Sequence, residues 1–255
     1  MARLTLRAGR PLALGAAGLA VFLMLWQAAV VTGLVPRAFL PAPSDIPPAF
    51  LKELRSGFWL SSIQNSLGHY LGGLVLGAAL GIASGLMTGQ SRVAEESVSW
   101  VVRLLRPIPG LAWVPFAIIW FGVSTAAAVF IVGVGVFWIC YFATLSAVRA
   151  VDRDLLEVAD AYGFRSMPQK LVKIVLPAAA PGILAGLRTA LGQAWMAVVA
   201  AEIFGVAGLG QRMMQASSLL ATDIVVVYMI TMAALYGLVD TVFVIVQNRV
   251  LAWKA

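Results

Sequence analysis

RAVDRDLLEVADAYGFRSMPQKLVKIVLP, Arg149 to Pro177, is a polar segment between two apolar runs, at about 126–148 and 179–203. Its first 25 residues, Arg149 to Lys173, hold nine ionisable side chains. In a chain of 255 residues with 11% charged and 61% hydrophobic residues, such density marks a stretch held in water between stretches that are not. The mean hydropathy of +0.93, and a charged fraction far below the ~25% usual in soluble domains, indicate an all-α polytopic membrane protein. The chain is long enough for six transmembrane helices of ~20 residues, each sufficient to cross ~30 Å of hydrocarbon. Little length then remains for a soluble catalytic domain.

We place the spans at about 12–34, 63–88, 98–121, 126–148, 179–203 and 223–250, in a single transmembrane domain over 1–255 that leaves 149–177 as a loop. The first follows an Arg-rich start, but its roughly 22 apolar residues exceed the ~7–15 of a cleaved signal, so it is expected to be retained. Cytoplasmic loops keep an excess of Lys and Arg. An inside N-terminus puts Arg3, Arg7, Arg10, Arg92, Arg149, Arg153, Arg165, Lys170, Lys173, Arg249 and Lys254 inside, against Arg37, Lys52, Arg55 and Arg212 outside. Eleven against four predicts both termini, and the 149–177 loop, in the cytoplasm. The same bias explains the formal charge of +7: the basic residues are scattered between apolar runs and form no nucleic-acid surface. The Pro-rich stretch Leu40 to Pro48 cannot continue a helix, which predicts an external loop leading into a short amphipathic segment near Phe50 to Leu54.

Within the spans, Gly73, Gly77, Gly81, Gly85 and Gly89 recur every fourth residue and leave one helix face without side chains. That spacing lets backbones approach closely, which predicts tight packing inside the bundle, with a dimer seam as the alternative. Pro107, Pro109 and Pro115 fall within nine residues of the third span and predict a kink or interruption. Irregular backbone at membrane depth is tolerated against protein or along a cavity, so Pro109, Trp113 and Pro115 are candidate pathway residues, a plain structural kink being the alternative. Arg188, Glu202 and Asp240 also lie at or near membrane depth, where an unpaired charge costs ~2.5–3.5 kcal/mol on insertion scales. Arg188 and Glu202 are about 21 Å apart along one helix and cannot pair within it. Arg188 either pairs inside the bundle or attracts anions along a pathway. Asp240 is available to either residue, and Glu202 is expected near the external end.

No Gly-x-x-x-x-Gly-Lys-Ser/Thr loop is present to cradle ATP. One cysteine, Cys140, and one histidine, His69, exclude a zinc pattern and a credible nucleophile–base pair, and His69 is expected to be packed or interfacial. No catalytic residue or metal ligand is therefore assigned. Gly205 to Gly210 is glycine-dense but follows no strand, which predicts an external turn rather than a dinucleotide fingerprint.

In the polar segment, Asp152 or Asp154 can cap a helix starting near Leu155, and Gly163 can end it after about two turns. Pro168 is tolerated in the first turn of a second short helix, and Pro177 marks the start of the fifth span. A cytoplasmic helix–turn–helix suited to docking follows.

Glu157-Val158-Ala159, Gly163 and Ile174-Val175-Leu176-Pro177 resemble the EAA signature of ABC importer permeases. Val158 replaces an alanine of that signature, and ten residues rather than the usual nine separate Gly163 from Ile174. The extra residue is expected to appear as a longer turn or an added helical residue. Further segments, including Leu40 to Ser44, Leu105 to Pro109, Trp120 to Gly122, Gly186 to Arg188, Ala194-Trp195 and Val199 to Glu202, are similar to the nitrate, taurine and aliphatic-sulfonate permease group.

The resemblance implies a type I ABC importer permease fold in a bacterial inner membrane. It implies a second permease subunit, often identical, and an external binding protein that delivers a small anion such as a sulfonate, taurine or nitrate. Two cytoplasmic ATPase subunits would bind the ATP and magnesium, leaving no cofactor in this chain. It assigns Glu157, Ala159 and Gly163 to ATPase docking, and Leu176 and Pro177 to a hinge into the fifth span. Arg188, Trp195 and Glu202 join the candidate pathway. A self-sufficient channel or ion-coupled carrier using Arg188, Glu202 and Asp240 is the alternative function. Aromatic acids, vitamins and pyrimidine precursors are the alternative substrates.

Overall fold

The computed structural model describes residues 2–164 and 166–254. Arg165 lies outside the described residues, as do the side chains of Arg3, Arg7, Arg10, Arg92, Arg153 and Lys254. Among the described residues, eleven α-helices run in chain order: α1 (Ala2–Val31), α2 (Ile46–Ser56), α3 (Phe58–Gln90), α4 (Arg92–Leu105), α5 (Val114–Phe121), α6 (Thr125–Arg149), α7 (Arg153–Ala161), α8 (Met167–Lys170), α9 (Leu176–Ile203), α10 (Leu209–Ser218) and α11 (Thr222–Val250). Local chemistry sets several boundaries. Ser91 and Ser124 cap α4 and α6 by accepting the N–H groups of Ala94 and Ala127. Gly57, at φ +78°, ends α2 in the left-handed conformation that glycine adopts without steric cost.

Among the described residues, five helical stretches are long and apolar enough to cross a membrane: Ala13–Val31, Phe58–Gln90, Thr125–Arg149, Met167–Ile203 and Thr222–Val250. The span expected at 98–121 is not one helix. Val93–Leu105 and Gly110–Phe121 meet at 84°, and counting this bent pair as one span gives six. Pro107 and Pro109 lie in the break and Pro115 opens α5, so the helical hydrogen-bond ladder cannot run through.

The chain packs as two units, residues 1–60 with 212–231, and residues 61–211 with 232–255. In the first, the Pro-rich loop is stapled to α1. The Trp26 indole N–H donates to Pro41 O at 2.9 Å, and the Gln27 side chain bonds both the hydroxyl and the backbone N–H of Ser44 at 3.2 Å. The amphipathic segment expected near 50–54 is the eleven-residue α2. Its Glu53, only 1% exposed, takes a two-pronged bond from Arg212 at 2.8 and 3.0 Å and accepts the Tyr228 hydroxyl at 2.8 Å. Those donors, Arg212 first, hold the Glu53 carboxyl below its ordinary pKa of 4.5 although burial pushes it upward.

The second unit is organised around α6. A Cβ on Gly73, Gly77, Gly81, Gly85 or Gly89 would collide with Val132, the Gly133 carbonyl, the Phe137 carbonyl, Thr144 or Val148, all on α6. The glycine stripe of α3 is thus filled by a helix of the same chain. On α9, Gly182 and Gly186 are closed in the same way by Ala147 and Ala143 of α6. Close backbone approach supplies the dispersion contacts that replace a hydrophobic driving force in lipid.

Candidate coupling surface and translocation groove

The polar segment folds as the sequence suggests at its N-terminal end. Asp152, rather than Asp154, is the cap: its Oδ1 accepts the Asp154 N–H at 3.1 Å, and α7 starts at Arg153, two residues before the expected Leu155. At the other end Gly163 has φ +86°, the Phe164 N–H donates to Ala159 O at 3.0 Å, and the Gly163 N–H donates to Asp160 O at 3.1 Å. This paired six-to-one and five-to-two closure is a Schellman cap and requires a residue that tolerates positive φ. Gly163 fixes the direction in which the chain leaves α7.

One face of α7 is anchored. Ala159 is buried, and Leu156 packs against the cluster formed by Val148, Val175, Ala179 and Ile183. Lys170 Nζ lies 2.6 Å from Asp160 Oδ1, and the Lys173 ammonium sits 4.7 Å from the Phe164 ring centroid. Arg149 pairs with Glu95 of α4. The opposite face is open: Leu155, Val158 and Tyr162, at three- and four-residue spacing, are exposed together with Glu157. The site residues of this loop thus divide into an anchor, Ala159, a cap, Gly163, and a presented side chain, Glu157.

The helix runs on through Leu176 and Pro177, the residues expected to set the hinge into the fifth span. Residues Met167–Ile203 form one apolar helical stretch, in which Leu171–Val175 is a π-helical turn and the Leu176 N–H reaches back to Leu171 O. A π turn is how a helix takes in one residue too many, and it widens the backbone just before a proline whose ring would otherwise press on the carbonyl four residues earlier. The second short helix, α8, is therefore the leading end of the fifth span. At 1.5 Å per residue the 37-residue stretch is about 55 Å long, well beyond the ~30 Å hydrocarbon, so its polar leading turns stand clear of the lipid core.

The pathway candidates do not converge. Arg188 makes a two-pronged ion pair with Asp240, at 2.9 Å for both bonds, and its side chain stays half exposed. Trp195 is buried edge-on against Tyr70, with ring centroids 5.3 Å apart. Glu202 is fully buried: its Oε1 accepts the Ser66 hydroxyl at 2.7 Å and lies 3.0 Å from His69 Nδ1, and its Oε2 accepts the Gly210 N–H at 2.9 Å. His69, expected to be packed or interfacial, is thus the partner of Glu202 that sequence reasoning missed. The glycine turn wraps this carboxylate, since a Cβ on Gly208 would fall on the Glu202 carboxyl itself. Asp240 serves Arg188 alone of the two candidates.

Pro109 and Pro115 are exposed and shape the break. Trp113 is the one proposed pathway residue on the wall of a groove of about 620 Å³, which is otherwise lined by Leu105 at the end of α4 and by Leu76, Leu80, Trp120, Phe130, Trp138 and their neighbours on α3, α5 and α6. The density of Trp and Phe between 113 and 138 was the available signal. What periodicity did not reveal is that the bend carries one part of that run back toward the other.

Residues 58–252 match the family described as binding-protein-dependent transport system inner membrane component. The chain is 35% identical over 236 residues to a protein of Escherichia coli strain K12 named as the aliphatic sulfonates transport permease SsuC, covering 90% of this chain and 88% of that one. It is 29% identical over 250 residues to the taurine transport system permease TauC of the same strain, covering 96% and 90%. A chain from the inward-facing MetNI methionine ABC transporter structure superposes with a TM-score of 0.64 at 20% identity, covering 78% of this chain and 96% of that one, which places the helices in the same fold. A multi-pass helical chain with an anchored polar loop, matched over most of its length by such permeases, belongs to the binding-protein-dependent transport system inner membrane component family, the non-catalytic permease subunits of ABC importers.

Proposed function

We propose that this chain forms the translocation path of an ATP-driven importer for a small organic anion of the sulfonate or taurine type. Two copies, or this chain and a second permease subunit, would assemble with two cytoplasmic ATPase subunits that hold ATP and magnesium, and an external binding protein would deliver the substrate. Both termini would face the cytoplasm. The observation that carries this reading is α7: Leu156 packs it against the cluster of α6 and α9 residues and Ala159 is buried, while Leu155, Val158 and Tyr162 are left uncovered. A rigid element that presents apolar and acidic groups to water suits the receipt of mechanical work from an ATPase. The names of the similar permeases support the substrate class.

Proteoliposomes containing the chain, its cognate ATPase and its binding protein should take up sulfonate only when ATP is supplied. Gly163→Val forces a β-branched residue to positive φ, and Glu157→Lys reverses a presented charge. Each should lower uptake by about tenfold or more, the effect of losing ~1.4 kcal/mol at a docking contact. Uptake without ATP, or unchanged uptake in both variants, would overturn the reading.

A further inference from the structure

Arg188 and Asp240 sit where an exposed ion pair is least tolerated. Arg188 lies twelve residues after Leu176 and fifteen before Ile203, about 18 and 22 Å from the two ends of α9 at 1.5 Å per residue. Asp240 lies ten residues before the end of α11. Their side chains nonetheless remain 50% and 27% exposed. Charged groups at such depth turn toward a protein interior or a water-filled cavity, because hydrocarbon does not solvate them. The uncovered side of the pair therefore does not face acyl chains.

That side is rich in donors. A guanidinium carries five N–H groups, and Asp240 accepts from Nε and Nη2 only, at 2.9 Å each. The remaining N–H groups find no acceptor among the described residues. Tyr236, one turn before Asp240, is half-buried, and its hydroxyl makes no hydrogen bond among the described residues. It lies across Gly192, one turn after Arg188, where an added Cβ would stand 3.2 Å from the Tyr236 oxygen. Unfilled donors beside a guanidinium are complementary to the oxygens of an anion.

Asp240 bears on which anion can use them. While its carboxylate is in place the pair has no net charge, and little holds a passing chloride. The guanidinium fork matches two oxygens carried on one atom, so an oxyanion can take over both bonds that Asp240 releases, whereas a halide with a single centre cannot. Once displaced, the free carboxylate repels the anion that replaced it, which keeps the site from trapping its cargo.

We propose that Arg188 and Asp240 form an exchangeable oxyanion site midway along the translocation path, in which the Asp240 carboxylate is a tethered stand-in that occupies the guanidinium until a transported anion replaces it. The assignment rests on the importer reading and adds to it a rule of selection inside the permease, the exclusion of chloride by Asp240.

The test has a binding arm and a transport arm. In the first, chloride NMR line broadening is measured for the full chain in nanodiscs. Wild type should match the neutral double variant Arg188→Met with Asp240→Leu. Asp240→Asn, which leaves the guanidinium without its carboxylate, should bind chloride about tenfold more tightly than wild type, and added sulfate should reverse the gain. In the second, proteoliposomes of the chain with its cognate ATPase and binding protein are supplied with ethanesulfonate and ATP. The double variant should keep its Tm, because apolar side chains of similar size replace an ion pair at little cost, yet lose about tenfold or more of its uptake. If it fails to fold, the chloride arm with Asp240→Asn decides alone. Uptake retained by a folded double variant would make the pair a packing contact, covered in the assembly by a second permease, and would overturn the assignment. Equal chloride binding by wild type and Asp240→Asn would overturn it as well. ATP-driven uptake by wild type together with either of those results leaves the importer reading standing; absence of wild-type uptake removes that reading, and the chloride arm still decides whether Asp240 occupies an anion site.

Discussion

Glu53 shows how a carboxylate is kept charged in a nearly sealed position. Its two oxygens receive the Arg212 fork and the Tyr228 hydroxyl, and the Arg212 guanidinium also lies 4.5 Å from the Phe58 ring centroid. Because the folded protein holds this carboxyl below its ordinary 4.5, the linkage stabilises the fold above that pH and is lost as pH falls toward the lowered folded value. Thermal melts between about pH 5 and pH 3 should therefore show a steeper loss of Tm in the wild-type protein than in Glu53→Gln, which has no proton to take up at that position. At neutral pH Glu53→Ala should cost about 3 kcal/mol, because it leaves the Arg212 charge with no counterion. A pH slope identical in wild type and Glu53→Gln would show that the pair carries no linkage. The sequence located Arg188, Glu202 and Asp240 as charges needing an explanation and offered Asp240 to either of the others, but it did not choose the pairs, and it gave Arg212 only a side of the membrane. Their partners lie 52 residues away for Arg188 and Asp240, 133 for Glu202 and His69, and 159 for Arg212 and Glu53. Hydropathy and helical periodicity describe neighbours along the chain, and nothing in them carries a partner at that separation.

At the scale of elements, the π turn Leu171–Val175 decides how the cytoplasmic loop meets the fifth span. It follows the Lys170–Asp160 tie and ends on Val175, which belongs to the cluster that anchors Leu156. Removing one residue there, such as the exposed Val172, would return the turn to α geometry and rotate α8 by about 100° relative to α9. Lys170 would then point away from Asp160 and the anchoring of α7 would loosen. Val172 deletion should cut ATP-driven uptake about tenfold while ATP hydrolysis continues, whereas Val172→Ala should stay within about twofold. If the deletion transported normally, the π turn would be an absorbed insertion with no part in coupling. The ten-residue gap from Gly163 to Ile174 was visible in the sequence, and an added helical residue was one of its two expected outcomes. Its effect on continuity was not visible: Pro177 reads as the start of the fifth span, but placed at the first α turn after a π turn it is accommodated, and the helix already running from Met167 continues through it. The glycine stripe read clearly for the opposite reason. A four-residue repeat of the smallest side chain has one structural use in lipid, close approach of another helix, and only the identity of that helix, α6, required the fold.

At the scale of the molecule, the number of crossings depends on the bent pair Val93–Leu105 and Gly110–Phe121. If the pair crosses the membrane, six spans place residue 39 and residue 123 on the outer face and residue 166 on the inner one, given an inside N-terminus. If it dips in and returns, residue 123 lies inside and residue 166 moves outside, which would carry Arg149, Lys170 and Lys173 to the face where basic residues are rare. The positive-inside bias therefore favours crossing, despite a bend of 84° that deprives either half of the length to span alone. Single cysteines at the exposed positions Phe39, Val123 and Ser166, in a background where the buried Cys140 is alanine, separate the two cases. A membrane-impermeant maleimide added to intact spheroplasts should label Phe39→Cys and Val123→Cys, and should label Ser166→Cys only after lysis. Labelling of Ser166→Cys from outside, with Val123→Cys protected, would make the pair re-entrant. It would also remove α7 from the compartment where an ATPase could reach it, so the same experiment bears on the coupling role of Glu157 and Gly163.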